Sequence, residues 1–149
     1  MKEYQVPTEK ILCLASEYGL FEVVQEQLKQ GIDPDLKTFP QTFFRPLHEA
    51  AANRHSDIVE LLISHGADVN LISQELTALN LAVAEESGKK NLGTVKILLK
   101  NGANPNIFSE GKAPIHLITS NEYNLNLDIL HELLKYGAKM NVVDAGKEI

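Results

Sequence analysis

The residues able to do chemistry are few and poorly placed for it. The chain has five histidines, one cysteine and twenty carboxylates. No two histidines stand in the H-E-x-x-H arrangement that puts two metal ligands on one helix face. His48, followed by Glu49, lies seven residues ahead of His55, a spacing that matches no metal site, and His65 and His131 are isolated. Cys13 sits between Leu12 and Leu14, where a thiol is expected to be buried and inert, since a reactive cysteine needs a cation or a helix N-terminus beside it. No G-x-S-x-G, phosphate-binding loop or G-x-G-x-x-G occurs, and Gly102 and Gly111 read as isolated turn glycines. Glu85-Glu86 and the pair Asp33 and Asp35 fall in polar turns that imply no pocket. No catalytic residue, metal ligand or cofactor site is assigned, and the chain is expected not to be an enzyme.

Composition narrows the classes further. The chain has 149 residues, enough for one domain, with 44% hydrophobic and 23% charged residues, as in ordinary globular proteins. With five Phe, four Tyr and no Trp, its core must be built from Leu, Ile, Val and Ala. A single cysteine excludes an intrachain disulfide and fits a reducing compartment. No apolar run approaches the ~20 residues of a membrane span. The N-terminus lacks the apolar stretch of a secretory signal, so a cytoplasmic location is expected, with secretion as an effector left open. A net charge of −6 argues against a nucleic-acid partner.

The elements are clearest from Arg45 to Asn70. Leu47, Ala50 and Ala51 share one face at helical spacing, as do Val59, Leu62 and Ile63. Pro46 suits a first helical position, Asn53-Arg54-His55 makes a polar turn, and Gly66 follows where a helix must stop. Each helix is too short to stand alone and needs a neighbour to cover its apolar stripe. The plan recurs. Gly31, Gly66, Gly102 and Gly137 are 35, 36 and 35 residues apart, inside GIDPD, GADVN, GANPN and GAKMN. An apolar helix precedes each. Four units, approximately 8–35, 40–70, 73–106 and 109–141, with a tail at 142–149, make one domain over residues 1–149.

Pro46-Leu47-His48, Ala50-Ala51 and Gly66 to Asn70 resemble the ankyrin repeat motif, with partial copies at Thr77-Ala78-Leu79-Asn80 and Ala113-Pro114-Ile115-His116. The resemblance covers about residues 8–141. It implies an all-α solenoid of stacked antiparallel helix pairs joined by β-hairpin-like loops. It also implies that His48 and His116 hydrogen-bond backbone and knit neighbouring loops, with Asn80 doing similar work through its amide. The first unit departs from the pattern. Ile11-Leu12-Cys13 replaces the Pro-Leu-His run, and Gln27 stands in the slot of Leu62, Leu98 and Leu133, as in a terminal cap. Tyr18-Gly19 should form its inter-helix turn.

Three segments are irregular. The loop LKTFPQTFFR, two residues longer than the family's usual one, carries Phe39, Phe43 and Phe44. They read either as an aromatic anchor for a partner or as rings tucked back on the first repeat. The third unit spans 16 residues from Leu79 to Val95 against 12 from Leu47 to Val59. Its extra four fall near EESGKKNLG, and a similar excess in the fourth unit falls near SNEYNLN, so both read as extended turns. The last helix keeps Leu127, Ile129, Leu130, Leu133 and Leu134, although a terminal repeat should be more polar. A continuing array, self-association through this C-terminal repeat, or an unassisted cap each account for that.

By the resemblance the chain binds a protein partner through its concave face. The family's contact positions fall on Gln41, Thr42, Phe43, Phe44, Ser73, Gln74, Leu76, Glu110 and Lys112 at the hairpins. On the first helices they fall on Ala52, Asn53, Ala84, Glu85, Ser120 and Asn121. Phe44 and Leu76 would be the apolar anchors of a mixed polar surface. An adaptor or inhibitor is the expected role. A scaffold fragment of a longer array, or a bacterial effector or immunity protein, is the alternative.

Overall fold

The computed structural model describes residue 3 and residues 6–37, 44–84, 91–120 and 125–141. The expectations about Phe39, about residues 85–90 and 121–124 of the two inserted turns and about the tail lie outside these residues. The described chain holds eight helices: α1 Thr8–Tyr18, α2 Phe21–Lys29, α3 Pro46–Ala52, α4 Ser56–Ser64, α5 Ala78–Val83, α6 Leu92–Lys100, α7 Pro114–Thr119 and α8 Leu127–Lys135. Strand pairing among the described residues is limited to two isolated bridges, Ser73 with Leu76 and Ser109 with Lys112.

The helices form four pairs stacked in two rows. In the inner row α1 packs on α3, α3 on α5 and α5 on α7; in the outer row α2 packs on α4, α4 on α6 and α6 on α8. Each pair folds back through a stop the sequence supplies. Gly19 ends α1 at φ 74°, and the Leu20 N–H reaches the Ala15 carbonyl at 2.9 Å. A left-handed residue there satisfies carbonyls that would otherwise be orphaned. Arg54 does the same for α3 at φ 62°, although it carries a side chain.

The apolar stripes meet between the rows. Leu12, Leu47, Leu79 and Ile115 are buried in successive inner helices, and Val24, Val59 and Val95 in successive outer ones. Leu62, Leu98 and Leu133 are fully covered, whereas Gln27 at their position in α2 is only half-buried. One buried polar residue was not foreseen as structural. Asn91, at the start of α6, donates its amide to the Ala51 carbonyl at 3.1 Å and to the Ala82 carbonyl at 3.2 Å. It thereby serves the last turns of two inner helices and fixes where α6 begins.

Candidate functional site

The candidate site is built from the hairpin tips and the exposed ends of the inner helices. Ser73 and Leu76 exchange backbone hydrogen bonds of 2.9 and 3.0 Å, and Ser109 and Lys112 bonds of 2.8 and 2.9 Å. The two residues between each pair have positive φ: Gln74 at 50° and Glu75 at 65° in one tip, Glu110 at 49° and Gly111 at 76° in the other. These signs fit a two-residue hairpin turn of the type that prefers Asn-Gly. The first tip instead presents two long polar side chains, both exposed.

The side chains beneath the tips hold neighbouring repeats together. The buried His48 ring donates from Nε2 to the Leu76 carbonyl of the next loop at 3.0 Å. Burial keeps His48 below its usual pKa, so the ring is neutral. In the fourth repeat His116 Nδ1 accepts from the Ala113 N–H at 3.1 Å. Asn80 accepts the Thr77 N–H at 3.0 Å through Oδ1, as the start of a capping box, and its Nδ2 is buried without a partner. The shorter amide reproduces the local bond and not the long reach made by His48.

Phe44 packs rather than projecting freely. Its ring stacks on His48 with centroids 5.9 Å apart and planes 7° apart. Its N–H donates to the Glu49 carboxylate at 3.2 Å, and its carbonyl accepts from Cys13 Sγ at 3.5 Å. The Arg45 guanidinium reaches back to the Asp35 carbonyl. Burial, and then the Glu49 charge, push the Cys13 thiol up to about 12, and burial raises Glu49 as well. This pocket has the electrostatics of a sealed joint between repeats, not of a nucleophile awaiting substrate.

A second set of contacts runs along the loops. Asp35 Oδ2 accepts from the Asp68 N–H at 2.9 Å. Asn70 donates to the Gly102 carbonyl at 3.0 Å and accepts from the Asn104 N–H at 2.7 Å. Asn106 repeats both bonds with Gly137 and Lys139, at 3.0 and 2.9 Å. The signal for this ladder was present in the fifth letter of GIDPD, GADVN and GANPN, which the repeat pattern alone did not interpret.

Of the residues assigned from sequence, Gln74, Glu110, Lys112, Asn53, Ala84 and Ser120 are exposed. Phe44, Ala52, Ser73 and Leu76 are half-buried. Gln41, Thr42, Phe43, Glu85 and Asn121 lie outside the described residues. Among the described residues no three His, Cys, Asp or Glu side chains are grouped to hold a metal ion, and no helix is long and apolar enough to cross a membrane.

Comparison with known proteins agrees with this geometry. A family model for ankyrin repeats in three copies matches residues 12–109. A protein of fowlpox virus (strain NVSL) named for its ankyrin repeats is 34% identical over 149 residues, covering 98% of this chain and 42% of its own length. Human ankyrin repeat and SOCS box protein 6 is 34% identical over 84 residues, 55% of this chain and 20% of that protein. Alpha-latrocrustotoxin-Lt1a of Latrodectus tredecimguttatus is 36% identical over 80 residues, 54% of this chain and 5% of the toxin. The chain therefore spans less than half the length of each of these relatives. Paired helices, bridged hairpin tips, the family model over residues 12–109 and a similarity over 98% of this chain to part of a viral repeat protein lead to one assignment: the chain belongs to the ankyrin repeat family.

Proposed function

We propose that this chain is a non-enzymatic binding module that holds a protein partner across the hairpin tips and inner helix ends. Ankyrin repeats are generally protein–protein interaction modules. The observation that carries the reading here is the Gln74–Glu75 tip. Two residues with side chains are held at positive φ where glycine would relieve the backbone, which is a cost expected where a surface serves recognition. Gln74, Lys112, Ala84 and Ser120 offer a mixed polar ridge, with Leu76 as its half-exposed apolar point. An adaptor or inhibitor needs no more than this. The single buried thiol suits a reducing compartment, and the cytoplasm is the proposed location.

The test adds bulk where side chains are small and exposed. Ala84→Arg with Ser120→Arg should leave circular dichroism and the melting temperature within the range of ordinary surface changes. Affinity capture from the source cells, with this variant as control, should lose a specific protein that the unaltered chain retains. Equal recovery by both would move the binding surface off the inner helix ends.

A further inference from the structure

The first rung of the loop ladder lacks a donor that the later rungs have. Asp35, Asn70 and Asn106 hold the same place in three successive loops, and each is set in the same way. Their backbone N–H groups donate to Oδ1 of Asp33, Asp68 and Asn104, each at 2.9 Å. One side-chain oxygen of each accepts the N–H two residues beyond the next loop's glycine, at 2.9, 2.7 and 2.9 Å. In Asn70 and Asn106 the remaining atom is Nδ2, which donates to the Gly102 and Gly137 carbonyls at 3.0 Å. In Asp35 the remaining atom is Oδ1, which is buried and has no partner. Correspondence between the rungs aims it at the Gly66 carbonyl, to which no described residue donates. An acceptor then meets an acceptor, which costs free energy unless a proton lies between them.

The charged groups around this side chain act in both directions. Burial raises the Asp35 pKa above its ordinary 3.8, and the hydrogen bond from the Asp68 N–H opposes the rise. Asp33 of the same loop and Asp68 of the next add like charge. Arg45, ahead of α3, opposes them, and its guanidinium donates to the Asp35 carbonyl. Lys29 and Lys37, on either side of this loop, and His65, ahead of the next, are exposed. The rise prevails.

We propose that Asp35 is a proton-operated latch between the first two repeats. In acid its Oδ1 carries a proton and donates a hydrogen bond to the Gly66 carbonyl, closing the rung as the amides of Asn70 and Asn106 close theirs at any pH. At neutral pH the carboxylate keeps only the bond from Asp68, and this joint is the least tied of the three. Folding takes up a proton between the ordinary pKa and the raised one. The contribution of the latch is therefore complete below 3.8 and is lost as pH rises through the raised value. The inference stands apart from the concave-face reading, since none of these groups lies on the hairpin tips.

A carbon-13 NMR titration of the full chain tests it. The Asp35 carboxyl carbon should titrate above 3.8, and the Gly66 carbonyl carbon should move downfield over the same pH range, as a carbonyl does on accepting a hydrogen bond. Two variants, checked by circular dichroism, separate that bond from a simple loss of charge. In Asp35→Asn the Gly66 carbon should stay downfield at every pH, and in Asp35→Ala it should stay upfield. The urea midpoint of Asp35→Asn should exceed that of the unaltered chain at pH 7, with the gap closing as pH falls. Titration of Asp35 at or below 3.8 would overturn the proposal. So would a Gly66 carbon indifferent to that titration, or an asparagine variant with no gain at pH 7.

Discussion

At the scale of single residues, one slot holds different chemistry in successive repeats. His48 spans to the next loop, His116 supports its own helix start, and Asn80 does only the local half of the work. The difference has a pH consequence. Burial lowers the His48 pKa, so its contribution to stability is fully present above the ordinary value of 6.5. Below that, the unfolded chain takes up a proton that the folded ring refuses, and stability is lost as pH falls toward the depressed folded value. Glu49 and Asp35 are raised by burial and act in the opposite sense. Their contribution is present below ordinary carboxylate values and is lost as pH rises through the raised ones. His48→Asn separates the two effects. It should cost about 1 kcal/mol at neutral pH by losing the bridge to Leu76. Urea titrations between neutrality and roughly pH 5 should also show a flatter decline than in the unaltered chain. An unchanged slope would mean that other groups govern the acid limb. Cys13, by contrast, has no chemistry to report. Burial pushes its thiol from the ordinary 9.0 up to about 12, so it stays protonated at neutral pH.

At the scale of elements, helices and tips differ in what their sequence announces. The helix ends were legible because positive φ at Gly19 and Gly66 is a local demand that glycine meets best. The Gln74–Glu75 tip has no such letter, and only its place in the repeat marked it as a hairpin. The strain there can be measured. Glu75→Gly should raise stability by about 0.5–1 kcal/mol, the relief of a left-handed side chain less the entropy glycine adds to the unfolded chain. A midpoint shift to higher denaturant, with unchanged slope, is the expected readout. If the same change also weakens partner capture, the tip is part of the surface; a destabilised variant would mean that Glu75 makes a favourable contact. Asn91 is the converse case. Its type suggests a loop, and the extended-turn reading placed it there. Only the approach of the α3 and α5 carbonyls gives it a structural task.

At the scale of the whole molecule, a stack couples each unit to its neighbours and to nothing farther away. The same residue type therefore has unequal worth along the chain. Leu62→Ala, in a fully closed interior joint, should cost about 2–5 kcal/mol by leaving a cavity. Leu134→Ala, at an exposed site, should change stability by less than about 0.5 kcal/mol. Denaturant unfolding compares the two directly. Similar costs would show that the Leu134 side chain is covered in solution. The four-unit plan was readable at this scale, and the candidate surface remains a proposal. The units declare themselves four times in phase, whereas the surface was transferred by position, and packing modified it. Phe44, read from sequence either as a partner anchor or as a ring tucked back, is stacked on His48, so part of its ring serves the joint.

The sequence by itself determined where the helices lie, how they pair and where each pair turns back. Those features rest on local spacing: an apolar stripe at helical period, a proline at a start, a residue tolerant of positive φ at a stop. Tertiary structure alone decided which side of each stripe is closed. Leu99 and Leu134 are the same residue at the same point of the repeat, yet one is buried and the other open. Burial belongs to a residue's neighbours in space, and no local pattern carries that information. For the same reason the ladder from Asp35 to Asn106 and the reach of His48 became visible only once the repeats were set side by side.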